Sequence, residues 1–205
     1  MQILVYFAIL IIFALWLNYE IHKISRIDKK KNDLFWKNER LANLSRRTNI
    51  TGLEYITIPL DTLPMSDMDD STINSYRDII QGLSDKLIVN LTGLTNTDLK
   101  LKYGASNLNR LSEYDNNYTV LVSMLHKWGE RLYNMGYIKE AIPVLEYSVM
   151  CLTDVRKTYL LLAKIYMEQN TPEQIDPLLD ILPFTKIARK EKLSEELVGI
   201  KTLLY

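Results

Sequence analysis

The sequence predicts an all-α protein in which a single N-terminal transmembrane helix precedes a stack of helical hairpins. Three observations support this fold class. Residues 3–17 form an uninterrupted apolar run. Apolar residues in most of the remaining chain recur at spacings of three and four, which is the period of an amphipathic α-helix. The chain after residue 122 also repeats itself, with the period of about 34 residues that is typical of helix-turn-helix repeats.

The first element is the apolar run, and residues 1–20 are expected to form an uncleaved transmembrane anchor. As a helix, the run and the two residues before it rise about 25 Å, slightly less than the roughly 30 Å hydrocarbon core of a bilayer. The alternative is a secretory signal peptide, which needs a basic segment before the run and small residues at a cleavage site. No charged residue precedes the run, and Ala14-Leu15-Trp16 is a poor cleavage site.

Residues 21–50 form a basic juxtamembrane segment. Nine Lys and Arg residues and four acidic residues precede residue 51, whereas the rest of the chain is net negative. Basic residues beside a membrane span are retained in the cytoplasm, so we expect a single-pass membrane protein with its N-terminus outside and its body cytoplasmic. The basic segment would contact anionic lipid headgroups, and the acidic body argues against a nucleic-acid partner.

The structure of this basic segment stays open between a coiled coil, an interfacial helix and a linker. Ile27, Leu34 and Leu41 recur every seven positions, and the companion series is either Lys30, Lys37 and Leu44 or Ile24, Lys31 and Asn38. Such a half-apolar seam is a weak signal for a parallel homodimer. The apolar triplet at residues 34–36 beside basic residues fits a helix lying on a membrane surface about as well. A solvated linker is the third alternative.

Residues 51–121 are expected to contain an extended segment and divergent N-terminal helices. Residues 53–60 alternate and are β-branched, but Pro59 and Pro64 remove backbone donors, so the segment should lie along the helical body rather than in a sheet. Helical spacing then predicts three helices. They are a helix from Ser71 to about Leu91 with the stripe Ile73, Tyr76, Ile80, Leu83 and Leu87, a short helix from Asp98 to Tyr103 closed by Gly104, and a long helix with the stripe Tyr114, Tyr118, Leu121, Leu125, Trp128, Leu132 and Met135 that ends at Gly136.

Residues 122–185 contain two helix-turn-helix repeats. A constant shift along the chain superposes Leu125 on Tyr159, Trp128 on Leu162, Gly129 on Ala163, Leu132 on Tyr166, Pro143 on Pro177 and Leu145 on Leu179. On these residues the region resembles the tetratricopeptide repeat (TPR) family. The resemblance implies that Gly129 and Ala163 are the small residues at the close crossing of the two helices in each repeat. It also implies that Ala141 is the small residue of the first repeat's second helix.

The repeats also depart from the family pattern. Leu132 stands where the family has an aromatic residue, Ile175 replaces a small residue, and Thr153 stands where a proline would end the first repeat. The second helix of the second repeat is nevertheless well signalled, with Thr171 expected as its N-cap and Pro172 at its first position. Residues 186–205 would then form a capping helix. Its apolar stripe is Leu193, Leu197, Ile200 and Leu204.

The resemblance implies a membrane-anchored adaptor or scaffold that binds a protein or peptide partner on the cytosolic side. TPR-like stacks bind their partners in a concave groove lined by the first helix of each repeat. By this resemblance the groove residues would be Ser123, His126, Glu130, Tyr133, Asn134, Lys157, Leu160, Lys164 and Met167. This set lacks the Lys and Asn combination with which some family members bind a C-terminal carboxylate, so that ligand is not expected.

Two other classes of function remain as alternatives. One is a structural, membrane-bound homo-oligomer without a peptide groove, and the other is an enzyme of unrecognised type. The sequence contains no Gly-rich phosphate loop, no Gly-x-Ser-x-Gly elbow and no His-Glu-x-x-His helix, so no catalytic residue or cofactor is predicted. Two histidines and one cysteine make a metal site unexpected. The lone Cys151 is expected to be a small core residue.

Overall fold

The computed structural model describes residues 2–202, except for the side chains of residues 2–5, 7 and 8. Over this range the chain is all-helical, which confirms the predicted all-α class. The α-helices are α1 (Gln2–Asn43), α2 (Ser71–Gln81), α3 (Asn96–Tyr103), α4 (Leu108–Asn134), α5 (Ile138–Met150), α6 (Arg156–Glu168), α7 (Ile175–Ile181) and α8 (Lys190–Thr202). Short 3₁₀ turns occur at Ala105–Asn107, Pro172–Gln174 and Leu182–Phe184. Leu204 of the predicted capping stripe lies outside the described residues.

The chain divides into two compact units. The first comprises Met1–Asn49 and Thr95–Leu108, and the second comprises Ile50–Leu94 and Asn109–Tyr205. The first unit therefore contains α1 and α3. The second contains α2, nearly all of α4, and the helices α5 to α8.

In the first unit, α3 packs against the C-terminal end of α1. The N-terminus of α3 is closed by a capping box, because the Thr95 hydroxyl accepts from the Asp98 amide at 3.2 Å and the Asp98 carboxylate accepts from the Thr95 amide at 2.9 Å. Glu39 of α1 accepts from the Thr97 hydroxyl at 2.7 Å and forms an ion pair with Lys100. These contacts place the short helix on one side of the last turns of α1.

The chain reverses at Gly104, where the predicted short helix ends. Gly104 has a φ of +88°, and a Cβ there would lie 2.4 Å from the Arg46 carbonyl oxygen. Only glycine fits, because both the backbone conformation and the close approach exclude a side chain. Asn107 then donates to the carbonyls of Thr48 at 2.8 Å and Tyr103 at 2.7 Å. The prediction that Gly104 closes this helix is confirmed.

The predicted transmembrane anchor is not supported by α1. Over the described residues, no helix combines the length and the apolar character that crossing a bilayer requires. The helix α1 continues into the basic segment. Met1 and the side chains of residues 2–5, 7 and 8 lie outside the described part of the chain.

The anchor at residues 1–20 and the single-pass localisation, with the N-terminus outside and the body in the cytoplasm, are therefore contradicted predictions. The described structure shows instead one uninterrupted helix from Gln2 to Asn43. It covers both the predicted anchor and most of the segment 21–50. A helix, rather than a flexible linker, thus forms residues 21–43.

In the second unit, residues 53–60 are extended, as predicted, and pair only locally. The Ile56 amide donates to the Ile88 carbonyl at 2.9 Å, and Tyr55 forms an isolated antiparallel bridge with Val89. The segment is tied down further by the Tyr147 hydroxyl, which donates to the Thr57 carbonyl at 3.1 Å. It therefore lies along the helical body without building a sheet in the described residues.

The helix α2 is shorter than predicted. It begins after Asp70, whose carboxylate accepts from the amides of Thr72 and Ile73 at 2.9 Å each. It ends at Gln81, so the predicted continuation to about Leu91 is wrong. Glycine at position 82 weakens helix formation, and the residues beyond it are held by the extended pairing described above. Tertiary pairing has therefore overridden the apolar periodicity of residues 83–91.

The helices α4 to α8 share one hydrophobic core. Most pairs that the repeat superposes are buried at both positions. They are Leu125 and Tyr159, Trp128 and Leu162, Gly129 and Ala163, and Leu132 and Tyr166. At the crossing of α4 and α5, a Cβ on Gly129 would lie 2.5 Å from Cδ2 of Leu145. The absence of a side chain at Gly129 therefore lets the two helices approach closely.

The helices α4 and α6 end in the same backbone motif, at equivalent positions of the two repeats. Gly136 has a φ of +85° and Asn170 a φ of +56°. In each case the next amide donates at 2.9 Å to the carbonyl five residues before it, which is the Schellman arrangement. The predicted end of the long helix at Gly136 is thereby confirmed.

The second helix of the second repeat starts differently from the prediction. A 3₁₀ turn at Pro172–Gln174 precedes α7, and Thr171 makes no side-chain capping bond. Its hydroxyl donates instead to the Tyr166 carbonyl at 3.2 Å. Thr171 is thus the N-cap residue of this 3₁₀ turn and Pro172 lies in its first turn, as predicted, but the Thr171 side chain does not cap it because the hydroxyl is engaged by the end of α6.

Candidate partner-binding groove

The predicted groove residues lie on two helices of the second unit. Those on α4 are Ser123, His126, Glu130, Tyr133 and Asn134, and those on α6 are Lys157, Leu160, Lys164 and Met167. The charged residues and the asparagine are exposed, whereas the histidine, serine, tyrosine, leucine and methionine are half-buried. Among these residues, α4 is linked to α6 around His126 and around Tyr133.

His126 links α4 to α6. Its Nδ1 lies 3.2 Å from the hydroxyl of Thr158, a buried residue of α6. Burial lowers the pKa of His126 below its usual value, Lys157 acts in the same direction, and Glu130 opposes them. The imidazole thus forms a hydrogen-bonding contact between the two helices.

Tyr133, Lys164 and Glu168 form the second contact. The Tyr133 hydroxyl donates to the Glu168 carboxylate at 2.8 Å, and the Lys164 ammonium lies 5.0 Å from the centre of the Tyr133 ring. The same ammonium is 3.8 Å from Glu168. The Tyr133 hydroxyl, followed by the charge of Glu168, raises the pKa of Lys164. The Lys164 ammonium and the Glu168 carboxylate therefore lie side by side on the surface, next to the Tyr133 ring.

An apolar groove lies next to this cluster, between α6 and α8. It is lined by Leu160, Lys164, Met167 and Glu168 from α6 and by Glu196, Gly199 and Ile200 from α8. Its volume is about 880 Å³, and its exposed wall is almost entirely apolar. This volume lies in the range of ligand pockets in proteins. The groove therefore has room for several apolar side chains of a partner.

Gly199 leaves the α8 wall of the groove open. A Cβ at this position would meet no atom within 4 Å. Glycine inside a helix is less stable than alanine by roughly 0.5–1 kcal/mol, so helix formation gives no reason for it here. Its effect on the surface is to remove a side chain where the groove would otherwise be filled.

The helix α8 is fixed against the stack by its core residues and by ion pairs. Leu193 and Leu197 are fully buried, as the predicted capping stripe requires. Glu196 pairs with Arg156 of α6 at 2.5 Å. Ile200, predicted as part of the seal, is only half-buried and lines the groove. The groove is thus bordered by two helices that are anchored to each other.

Sequence reasoning identified only part of this groove. Leu160, Lys164 and Met167 line it, whereas His126, Glu130, Tyr133, Asn134 and Lys157 do not. The residues on α8 were not predicted, because the stripe containing Ile200 reads as a buried seal. One signal in the sequence could have indicated the groove, namely an isolated glycine inside an amphipathic helix.

The groove offers surfaces for recognition. Its lysine and its two glutamates are engaged in ion pairs with one another or with Arg156. Within residues 2–202, no group of three or more His, Cys, Asp and Glu side chains is arranged to hold a metal ion. Cys151 is buried elsewhere in the core, and burial raises the pKa of its thiol to about 11, which keeps the thiol protonated.

A scan against protein-family models finds no match, and searches of curated proteins and of solved structures find no significant match. The TPR resemblance of residues 122–185 accordingly rests on residues of this chain alone.

Proposed function

We propose that residues 122–202 form a TPR-like protein-interaction module whose groove between α6 and α8 binds an amphipathic helix of a partner protein. The chain would then act as an adaptor or scaffold. The observation that carries this proposal is the apolar groove that Gly199 leaves open, with Lys164 and Glu196 at its rim. A surface of this kind binds a partner by burying apolar side chains.

The repeated geometry supports the TPR-like part of the proposal. The small residues Gly129 and Ala163 are buried at equivalent positions, and Gly129 lies directly against Leu145. Gly136 and Asn170 end the first helices of the two hairpins in the same way. A structural repeat of about 34 residues with a close helix crossing is the arrangement that TPR-like stacks use.

The groove favours a helical partner over an extended one. Both of its walls are α-helices, whose interior backbone groups already bond within the helix, so an extended peptide would find few main-chain partners there. A helix satisfies its own backbone and inserts side chains at positions i, i+3, i+4 and i+7. The lining extends from Leu160 to Glu168 of α6, about 12 Å along the helix axis, which matches about two turns of a partner helix.

The proposal is tested by selecting partners and then closing the groove. A display library of short amphipathic helices, about as long as the groove walls, would be selected on the full chain, and the enriched peptides titrated by fluorescence anisotropy. Gly199→Trp fills the groove with an indole and should weaken binding by at least about tenfold, as loss of a central contact does. Gly199→Ala is the matched control and should bind within about twofold of the wild-type chain, because a methyl group occupies little of the groove.

The proposal is wrong if no amphipathic helix is enriched, or if enriched peptides bind Gly199→Trp as tightly as the wild-type chain. Circular dichroism melting of both variants establishes that the stack is folded in each. Because Gly199 faces open space, neither variant should lower the melting temperature.

A further inference from the structure

The helix α1 carries an apolar seam that the described structure leaves uncovered. Every side chain from residue 21 to residue 38 is exposed. The exposed fractions of Ile24, Ile27, Leu34 and Leu41 are 52, 46, 52 and 53%. Helices derive most of their stability in proteins from burying an apolar face. We propose that α1 buries this seam against α1 of a second copy, in a parallel and in-register coiled coil.

The register follows from the recurrence of apolar residues at every seventh position along α1. Positions a are Leu17, Ile24, Lys31 and Asn38, and positions d are Glu20, Ile27, Leu34 and Leu41. The seam therefore spans more than three heptads, and five of its eight a and d positions are apolar. A polar residue at an a position lowers the stability of a coiled coil but specifies its register and oligomeric state. The resulting dimer should dissociate on dilution.

The helix α3 occupies a different side of α1. Its ion pair and hydrogen bonds go to Glu39 and Asn43, and Ala42 is fully buried beside them. Leu41, one residue away, stays more than half exposed. The packing of α3 therefore reaches Ala42, the e position of the last heptad, and leaves the seam residues Asn38 and Leu41 exposed.

Two features of the seam favour a second copy in parallel orientation. In that orientation Asn38 meets Asn38 of the second copy, where the two amides can bond to each other. Lys23 at position g also faces Asp28 at position e of the second copy, which is an attractive pair between the helices. Glu20 and Lys31 each meet the same residue of the second copy and oppose the pairing, so the apolar a and d positions and the two contacts above must stabilise the dimer.

The basic residues of this segment give the dimer a salt dependence. Nine basic and four acidic residues precede residue 51, so two parallel copies repel each other electrostatically. Salt screens this repulsion and leaves the apolar contacts in place. Raising the ionic strength should therefore increase the dimeric fraction.

Cysteine cross-linking tests both the contact and its direction. Ile27→Cys and Leu41→Cys, each made in the full chain, should give disulfide-linked dimers on mild oxidation, because d residues of a parallel pair face each other within disulfide distance. Trp36→Cys, at the outer position f, should remain monomeric. The wild-type chain should form no disulfide-linked dimer and serves as the control, because its own Cys151 is buried.

An antiparallel pair could not join both Ile27→Cys and Leu41→Cys to their own copies, so failure of either homotypic cross-link overturns the proposal. Equal cross-linking at position 36 would also overturn it, because it would show unspecific association. Sedimentation equilibrium provides a second test. Leu34→Glu should shift the chain to monomer, whereas Trp36→Glu, at a side chain of equal 52% exposure, should not. The groove variants at Gly199 leave α1 unchanged, so the two proposals fail independently.

Discussion

Replacing Gly129 by alanine should destabilise the protein, although alanine normally stabilises a helix. In α4 a Cβ at this position would lie 2.5 Å from Cδ2 and 2.6 Å from Cγ of Leu145. Atoms do not approach so closely, so Leu145 must move. Leu145 is fully buried in the core between the helices, and its displacement disturbs its neighbours.

The expected magnitude comes from two opposing effects. Alanine in place of glycine favours the helix by about 1 kcal/mol. Inserting an extra methyl group into a well-packed core costs about 1–3 kcal/mol. The free energy of unfolding should therefore fall by about 1 kcal/mol. Gly129→Val should lower it further, because valine adds two more carbons and lacks the helix preference of alanine.

Gly199→Ala is the matched control, since it is the same substitution in another helix of the same unit. A Cβ at Gly199 meets nothing within 4 Å, so only the helix preference remains and stability should rise by about 0.5–1 kcal/mol. The two alanine variants should thus change stability in opposite directions.

Urea unfolding followed by circular dichroism measures the free energy of unfolding of both variants. In a unit of this size, about 1 kcal/mol corresponds to a change in melting temperature of about 2–4 °C. If Gly129→Ala proves as stable as the wild-type chain or more so, then α4 and α5 do not cross closely at this residue. The proposed TPR-like geometry of the first hairpin would then be refuted as well.

Three further predictions concern a helix end, the groove rim and an ion pair. Asn170→Ala should lower stability by about 1 kcal/mol while Asn170→Gly should not, because the φ of +56° disfavours a Cβ; urea unfolding distinguishes them. Lys164→Glu should lower the affinity of the selected peptides for the groove, measured by anisotropy titration. Lys157 lies outside the groove, so Lys157→Glu should leave that affinity unchanged. Arg131 lowers the pKa of the Asp70 carboxyl, so this ion pair stabilises the fold above the unfolded-state pKa of about 4 and is lost as the pH falls through the lower folded-state value. Asp70→Asn removes the charge but keeps a capping side chain. The free energy of unfolding of the wild-type chain should therefore exceed that of Asp70→Asn by its full amount at about pH 7, and the difference should shrink below about pH 4. A difference that does not change with pH would contradict this role of Arg131.

Local patterns in the sequence were sufficient for the helices whose signals lie within one element. The stripe ending at Met135 and the glycine at position 136 predicted α4 and its Schellman end, and Gly104 predicted the end of α3. The helix-turn-helix repeat likewise paired residues that prove to be buried together. These predictions succeeded because helix periodicity and capping depend on neighbours within a few turns.

Other features depended on contacts between distant segments. The periodicity of residues 83–91 predicted a helix, but Ile88 pairs with Ile56, which lies far from it along the chain. Thr171 was predicted to cap a helix, but its hydroxyl bonds to the end of the preceding one. In both cases the sequence pattern was compatible with two local structures, and packing selected one of them.

The candidate groove shows the same division. The sequence by itself determined an all-helical chain, its repeat and three groove residues on α6, because these follow from spacing along single helices. Only the tertiary structure decided that α8 forms the other wall, that Gly199 opens it, and that Ile200 lines it instead of being fully sealed in the core. The physical reason is that burial of a residue on an amphipathic helix depends on the angle and distance at which the next helix packs against it. Those quantities are set by interlocking side chains from both helices and are not encoded in either one alone.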